Sequence, residues 1–238
     1  MPQGCQSSRA VSGRRTLAAA MMCLGLAPPA GAAETEAIDP GFVDILSRVP
    51  DARIEMRYST EDNFVGAVVD GYERALCLLS PAAADALAGV QEDIRAFGLR
   101  LIMFDCYRPQ RAVDHFVRWS QDPADQKTKA RYYPREDKAT MFEKGYIDRR
   151  SGHSRGSTVD IGLADASGKE LDMGTGWDFM DPSSATESAD VPEAARRNRL
   201  MLRSVMAAQG FRNYAGEWWH YTLTSETWPE RYFDVPVR

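Results

Sequence analysis

The sequence predicts an α+β domain, a single unit with a mainly antiparallel sheet and flanking helices. Three observations carry that expectation. Helical and strand segments alternate loosely, not in the strict β-α-β order of a parallel sheet. The last two strand segments read as a hairpin around Ala215-Gly216. No glycine-rich phosphate loop follows any strand, so a nucleotide-binding fold has no support. At 238 residues the chain is long enough for one substantial domain.

The chain opens with the three parts of an export signal. Arg9, Arg14 and Arg15 form a basic region with no acid before Glu34; Leu17 to Leu26 are apolar, and Ala30-Gly31-Ala32 is a small-residue cleavage site. The predicted organisation is therefore a signal peptide over 1–32, a linker over 33–40 and one domain over 41–238. Whether Arg14-Arg15 directs twin-arginine or general export stays open. The apolar stretch is too short and too alanine-rich to span a bilayer, so the mature chain is expected to be exported, in the periplasm, without a membrane span.

Within the domain, Ile54, Met56 and Tyr58 alternate with polar residues, the period of a half-buried strand. Ser80-Pro81 caps and starts a helix that runs to Phe97 and stops at Gly98. Leu99 to Phe104 is a compact apolar strand. Pro109 starts a second helix to Trp119, with Ala112, Val113, Phe116 and Val117 on one face. The polar stretch 121–150 reads as loop with one short helix. Thr158 to Leu163 reads as a strand, followed by a Gly/Asp/Ser-rich excursion to about Asp190. Pro192 to Gln209 is a helix closed by Gly210, and Phe211–Tyr214 and Trp218–Leu223 make the hairpin.

Composition excludes some functions. A formal charge of −5, falling to −8 once the three arginines of the signal are removed, argues against a nucleic-acid partner. Cleavage also removes Cys5 and Cys23. Cys77 and Cys106 remain, either as a disulfide in an oxidising compartment or as two buried thiols. Two cysteines without C-x-x-C spacing cannot build a thiolate zinc site.

The chain has three histidines. His153 lies in the turn-rich Ser151-Gly152-His153-Ser154-Arg155-Gly156, ahead of the strand bearing Asp160. His220 ends Gly216-Glu217-Trp218-Trp219-His220. Taken singly, each histidine is more often structural than a ligand. Together, two histidines and an aspartate supply the three protein ligands of a catalytic zinc with an open position for water. His153 and Asp160 are an odd number of residues apart and cannot share a face of one regular strand, so a turn at Gly156-Ser157 is required. Glu217 is expected in the turn, and His220 inside the strand. His115 reads as structural.

These segments resemble the VanX-type D-alanyl-D-alanine dipeptidases, a zinc dipeptidase family. Further blocks match in order over nearly the whole mature chain: Arg57-Tyr58-Ser59-Thr60, Asp70-Gly71-Tyr72, Tyr107-Arg108-Pro109, Met173-Gly174, Asp178-Phe179-Met180-Asp181 and Tyr232-Phe233-Asp234. The resemblance implies the zinc fold shared by D,D-peptidases and the hedgehog signalling domain. It implies one zinc per chain on His153, Asp160 and His220, Glu217 as general base and Arg108 as oxyanion partner. Asp178 would face the free ammonium of a small-molecule dipeptide, with Ser151, Tyr58 and Tyr72 lining the same pocket. The chain departs from the best-known members of the family, which lack an export signal.

Two alternatives remain at this level. A D,D-carboxypeptidase or peptidoglycan endopeptidase of the same fold would have a groove open at the amino end of its substrate. A non-catalytic zinc-containing binding module would need neither Glu217 nor Arg108.

Overall fold

Two apolar strands form the centre of the molecule. A computed structural model describes residues 41–238, so the expected signal and linker lie outside the described residues. Leu101 to Phe104 of β4 (Arg100–Asp105) and all seven residues of β5 (Thr158–Ala164) are buried. Burying each large apolar side chain contributes about 1.5–3 kcal/mol, which makes this pair the anchor of the core. The strands are antiparallel, with Leu101 opposite Leu163 and Asp105 opposite Asp160.

On the far edge of β5 lies β7 (His220–Leu223), antiparallel, with His220 opposite Asp160. The register therefore sets Asp105, Asp160 and His220 in one row across three strands. Residues directly opposite in a sheet share a face, so the row converges on one spot. β6 (Phe211–Asn213) closes the hairpin with β7, and β2 (Arg53–Ile54) runs parallel to β4. The order is β2-β4-β5-β7-β6; the expected antiparallel character holds for every pairing but β2–β4. A small second sheet pairs β1 (Val43–Asp44) with β3 (Leu78–Leu79).

Helix α1 (Pro81–Arg95) starts where Ser80 Oγ accepts the Ala83 N–H at 3.3 Å, with proline just inside the cap. It lays Leu87, Val90 and Ile94 on the core. Gln91 ties it to the sheet, accepting the Leu101 N–H at 2.9 Å and donating to Leu99 O at 3.2 Å. Helices α2 (Gln110–Ser120), α3 (Lys129–Tyr132) and α4 (Glu193–Ala208) follow; α4 packs on α1 and β6.

One strand differs from expectation. Of the alternating run Ile54 to Tyr58, only Ile54 lies in β2, and the chain turns at Arg57–Ser59 into a short 3-10 helix. Alternation records which side chains are buried, as Met56 and Tyr58 are, but pairing needs a neighbouring strand as well.

Candidate active site

Each of the three metal-ligand candidates is delivered by a different local device. His153 sits in the 3-10 turn Gly152–Arg155, where Ser151 Oγ accepts the His153 N–H at 3.2 Å. Gly156 then adopts φ 75°, a left-handed conformation that glycine tolerates, and swings the chain into β5. That turn resolves the odd spacing between His153 and Asp160. Asp160 lies within β5, and His220 opens β7 beside it.

The three side chains converge. His153 Nε2 and His220 Nδ1 stand 3.3 and 3.2 Å from Asp160 Oδ1, and 3.4 Å from each other. A tetrahedral ion with bonds of about 2.0 Å requires ligand atoms about 3.3 Å apart, so the triangle fits zinc. Asp160 Oδ1 is buried and has no hydrogen-bond partner among the described residues. A carboxylate oxygen in that position calls for a cation. His153 Nδ1 lies 2.7 Å from Cys106 O, so the N–H points there and leaves the Nε2 lone pair for the centre. Trp177 Nε1 donates to Asp160 Oδ2 at 3.2 Å and steadies the carboxylate.

Arg108 leaves the end of β4 and lines the same cavity, of about 540 Å³, with Tyr58, Ser151, Asp160, Asp178, Glu217, Trp219 and His220. Its guanidinium donates through Nε and Nη2 to Asp105 Oδ2 at 2.9 and 2.8 Å and lies over the rings of Tyr58 and Phe116. Glu217 occupies the turn of the final hairpin, its Oε2 3.6 Å from His220 Nδ1. Asp178 is buried on another wall, and Tyr58 Oη donates to its Oδ2 at 2.7 Å. Tyr72 is buried beside Asp105, and its hydroxyl donates to Asp105 Oδ1 at 2.5 Å; the residues lining the cavity do not include it.

The electrostatics separate the carboxylates. Burial works against the charge of Asp160, and positive charge carried by His153 and His220, or by an ion between them, is what holds its carboxyl below the usual range. Burial, and next the charge of Asp160, push Glu217 up to about 8 and Asp178 well above its ordinary value. Arg108 is also penalised by burial, but Asp105 and the tyrosines keep it firmly charged. Two proton-accepting carboxyls, a fixed cation and a three-ligand centre thus share one pocket, the equipment of a metal-assisted hydrolase.

The D-Ala-D-Ala dipeptidase family matches residues 39–238. The chain belongs to that family. Among its relatives, the D-alanyl-D-alanine dipeptidase of Streptomyces coelicolor is 50% identical over 84% of this chain and 98% of its own length. That of Enterococcus faecalis is 40% identical over 84% of this chain and all of its own. That of Escherichia coli is 36% identical over 76% and 84% respectively. A solved vancomycin-resistance D,D-pentapeptidase in complex with Zn(II) shows a faint likeness, with a TM-score of 0.38 and 16% identity over 63% of this chain and 74% of that one.

Two side chains that brace the site lie outside the sequence expectations, Asp105 and Trp177. Asp105 has a signal: an acid closing an apolar strand three residues before Arg108. Trp177 has none, since its partner Asp160 is brought to it by the fold.

Proposed function

We propose that the protein hydrolyses D-Ala-D-Ala to two D-alanines, with one zinc per chain on His153, Asp160 and His220. The observation that carries the reading is the convergence of those three side chains around the unpartnered Asp160 Oδ1, with Glu217 alongside. The family membership and the names of its relatives support the same reaction. When bound, zinc supplies Lewis-acid polarisation of the scissile carbonyl and acidification of water. Glu217 takes a proton from the attacking water and returns it to the leaving amine; burial, by raising its proton affinity, suits it to both steps. Arg108, braced by Asp105, faces the oxygen on which negative charge develops.

Asp178 receives the free ammonium of the substrate. Burial disfavours its charged form, and a cation arriving in the pocket relieves that cost. Tyr58 holds one of its oxygens, and Ser151 lines the same cavity. Acylating the substrate amine removes the charge that Asp178 seeks. The expected outcome is rapid cleavage of D-Ala-D-Ala and rejection of N-acetyl-D-Ala-D-Ala, of L-Ala-L-Ala and of stem peptides ending in D-Ala-D-Ala. Equal rates on the free and acetylated dipeptides, measured on the zinc-loaded protein, would replace this reading with a D,D-carboxypeptidase.

The reading extends to location. We take residues 1–32 as an export signal cleaved after Ala32, which sends the mature chain to the periplasm. Supporting this, the family match begins at residue 39, after the basic and apolar segments and the small-residue site. No described helix is long and apolar enough to cross a membrane. Salvage of D-Ala-D-Ala released by wall turnover suits such a location.

A further inference from the structure

A fully buried arginine sits on the apolar stripe of α4. Ala195, Arg199, Leu202 and Met206 form the buried face of that helix, and the arginine occupies a place where a leucine would be ordinary. Burying a guanidinium is costly unless its donors are satisfied. Here they are met without an ion pair. Nε donates to Met173 O at 2.6 Å, Nη1 to Ser183 O at 2.9 Å and Ala185 O at 2.8 Å, and Nη2 to Thr175 Oγ1 at 3.2 Å. Met173 and Thr175 lie on the incoming leg of one loop, Ser183 and Ala185 on its outgoing leg. The fork of one side chain therefore staples both legs together.

Asp178 is near the middle of that loop. It is the one non-glycine among the described residues with positive φ, 58°. Such a conformation is uncommon for any residue but glycine, though aspartate is among those that tolerate it, and it persists where the surroundings hold it. The staple supplies those surroundings through a directed chain of hydrogen bonds. Thr175 Oγ1 accepts from Arg199 and from Trp218 Nε1, at 2.9 Å for the latter, so its own proton goes to Ser184 Oγ at 3.1 Å. Ser184 Oγ in turn donates to Phe179 O at 2.6 Å, the carbonyl next to Asp178. Trp218 adjoins Glu217, and Trp177 of the same loop holds Asp160. The chain of contacts thus joins the loop of Asp178 to the turn of Glu217.

We infer that Arg199 is a positioning residue for substrate selection: it fixes the loop that aims Asp178 at the substrate amine, without touching substrate or metal itself. The inference rests on the assignment of Asp178 to the ammonium. Loosening the staple chiefly misplaces Asp178, at the middle of the loop; the three metal ligands stay on their own strands and turn, and Asp160 has only its bond from Trp177 to lose. The defect belongs in substrate binding and selectivity, not in zinc content.

Arg199→Ala, Arg199→Lys and the wild type, all zinc-loaded full-length mature protein, test it. For each, zinc content, kcat and KM on D-Ala-D-Ala, and kcat/KM on N-acetyl-D-Ala-D-Ala are measured, with and without added guanidinium ion. Arg199→Ala is expected to retain zinc and lose about 10²-fold in kcat/KM on the free dipeptide, chiefly through KM, as misplacement of a positioned group does. Its preference for the free over the acetylated dipeptide should shrink, and guanidinium should restore part of both. Arg199→Lys, with one ammonium for three carbonyls, should fall between the two. A wild type without preference for the free dipeptide overturns the role of Asp178 itself. A wild-type preference that Arg199→Ala keeps in full overturns the role of Arg199 alone. So does a loss confined to kcat or zinc, or failure of both variants to fold, since the arginine then serves the fold only.

Discussion

Asp105, Asp160, Asp178 and Glu217 crowd around a single guanidinium, that of Arg108, in largely enclosed surroundings. Like charges this close cannot all persist without cations; Arg108 is the cation buried among them, and Arg149 and Arg150 also line the cavity. Under the function proposed above, a zinc ion and a substrate ammonium would add positive charge to this cluster. Individual residues can be separated by substitution. Glu217→Gln is expected to keep zinc and lose nearly all turnover, because an amide cannot accept the water proton. Arg108→Ala should also keep zinc and lose about 10²-fold in kcat, the usual cost of removing an oxyanion donor. Zinc analysis beside steady-state kinetics checks both. Asp105 acts through others: it binds Arg108 twice, accepts from Tyr72, and lies 3.4 Å from His153 Nδ1. Asp105→Asn preserves its shape but removes the charge. Zinc affinity or kcat should drop about 10–100-fold, the range for groups that orient a metal ligand; chelator competition reads the first.

The elements differ in how plainly the sequence announces them. Helix α1 is legible because Ser80-Pro81 is a local cap and its apolar spacing is local, and β4 because the continuous apolar run Leu101–Phe104 demands burial on both faces. The first strand was over-read, since the alternation of Ile54, Met56 and Tyr58 reports burial and not pairing. At the site, the residues with distinctive local motifs, His153, Asp160, Glu217 and His220, could be named in advance. Arg199 and Trp177 could not, because an arginine on an apolar helical face looks like a surface residue until the loop it staples is seen. The bond from Tyr72 to Asp105 is equally invisible in the sequence, since sheet register sets the place of Asp105. The turn carrying His153 offers an element-scale test. A Cβ at residue 156 would run into the Phe42 ring, in a backbone conformation that L side chains resist. Gly156→Ala should destabilise the fold by roughly 2–4 kcal/mol from strain and overpacking, and weaken zinc binding as His153 shifts. Thermal unfolding with and without a chelator measures both; a wild-type-like melt would show that the turn tolerates the methyl group.

At the scale of the molecule, the disulfide connects stability, site and compartment. Cys77 precedes β3, Cys106 follows β4, and the bond between them closes a loop of 29 residues that contains α1. A loop of that size removes unfolded-state entropy worth about 3–4 kcal/mol in the chain-entropy account. The bond also holds the backbone at the centre, because Cys106 O receives the Nδ1 proton of His153 and Arg108 follows two residues later. Such a bond forms and persists in an oxidising compartment, in agreement with the proposed export. The bond and the export signal can be tested by one count. Mature protein beginning at Ala33, unfolded without reductant, should show no free thiol, whereas the uncleaved precursor made under reducing conditions should show all four cysteines of the sequence. Two free thiols in the mature protein would remove the bridge. Replacing Cys77 and Cys106 together with alanine should lower Tm by roughly 6–15 °C for a domain of this size, given a loss of about 3–4 kcal/mol. Zinc affinity should weaken in parallel, since the carbonyl that orients His153 loses its anchor. A variant that melts lower but binds zinc as tightly as the wild type would confine the disulfide to stability and leave the orientation of His153 to Asp105.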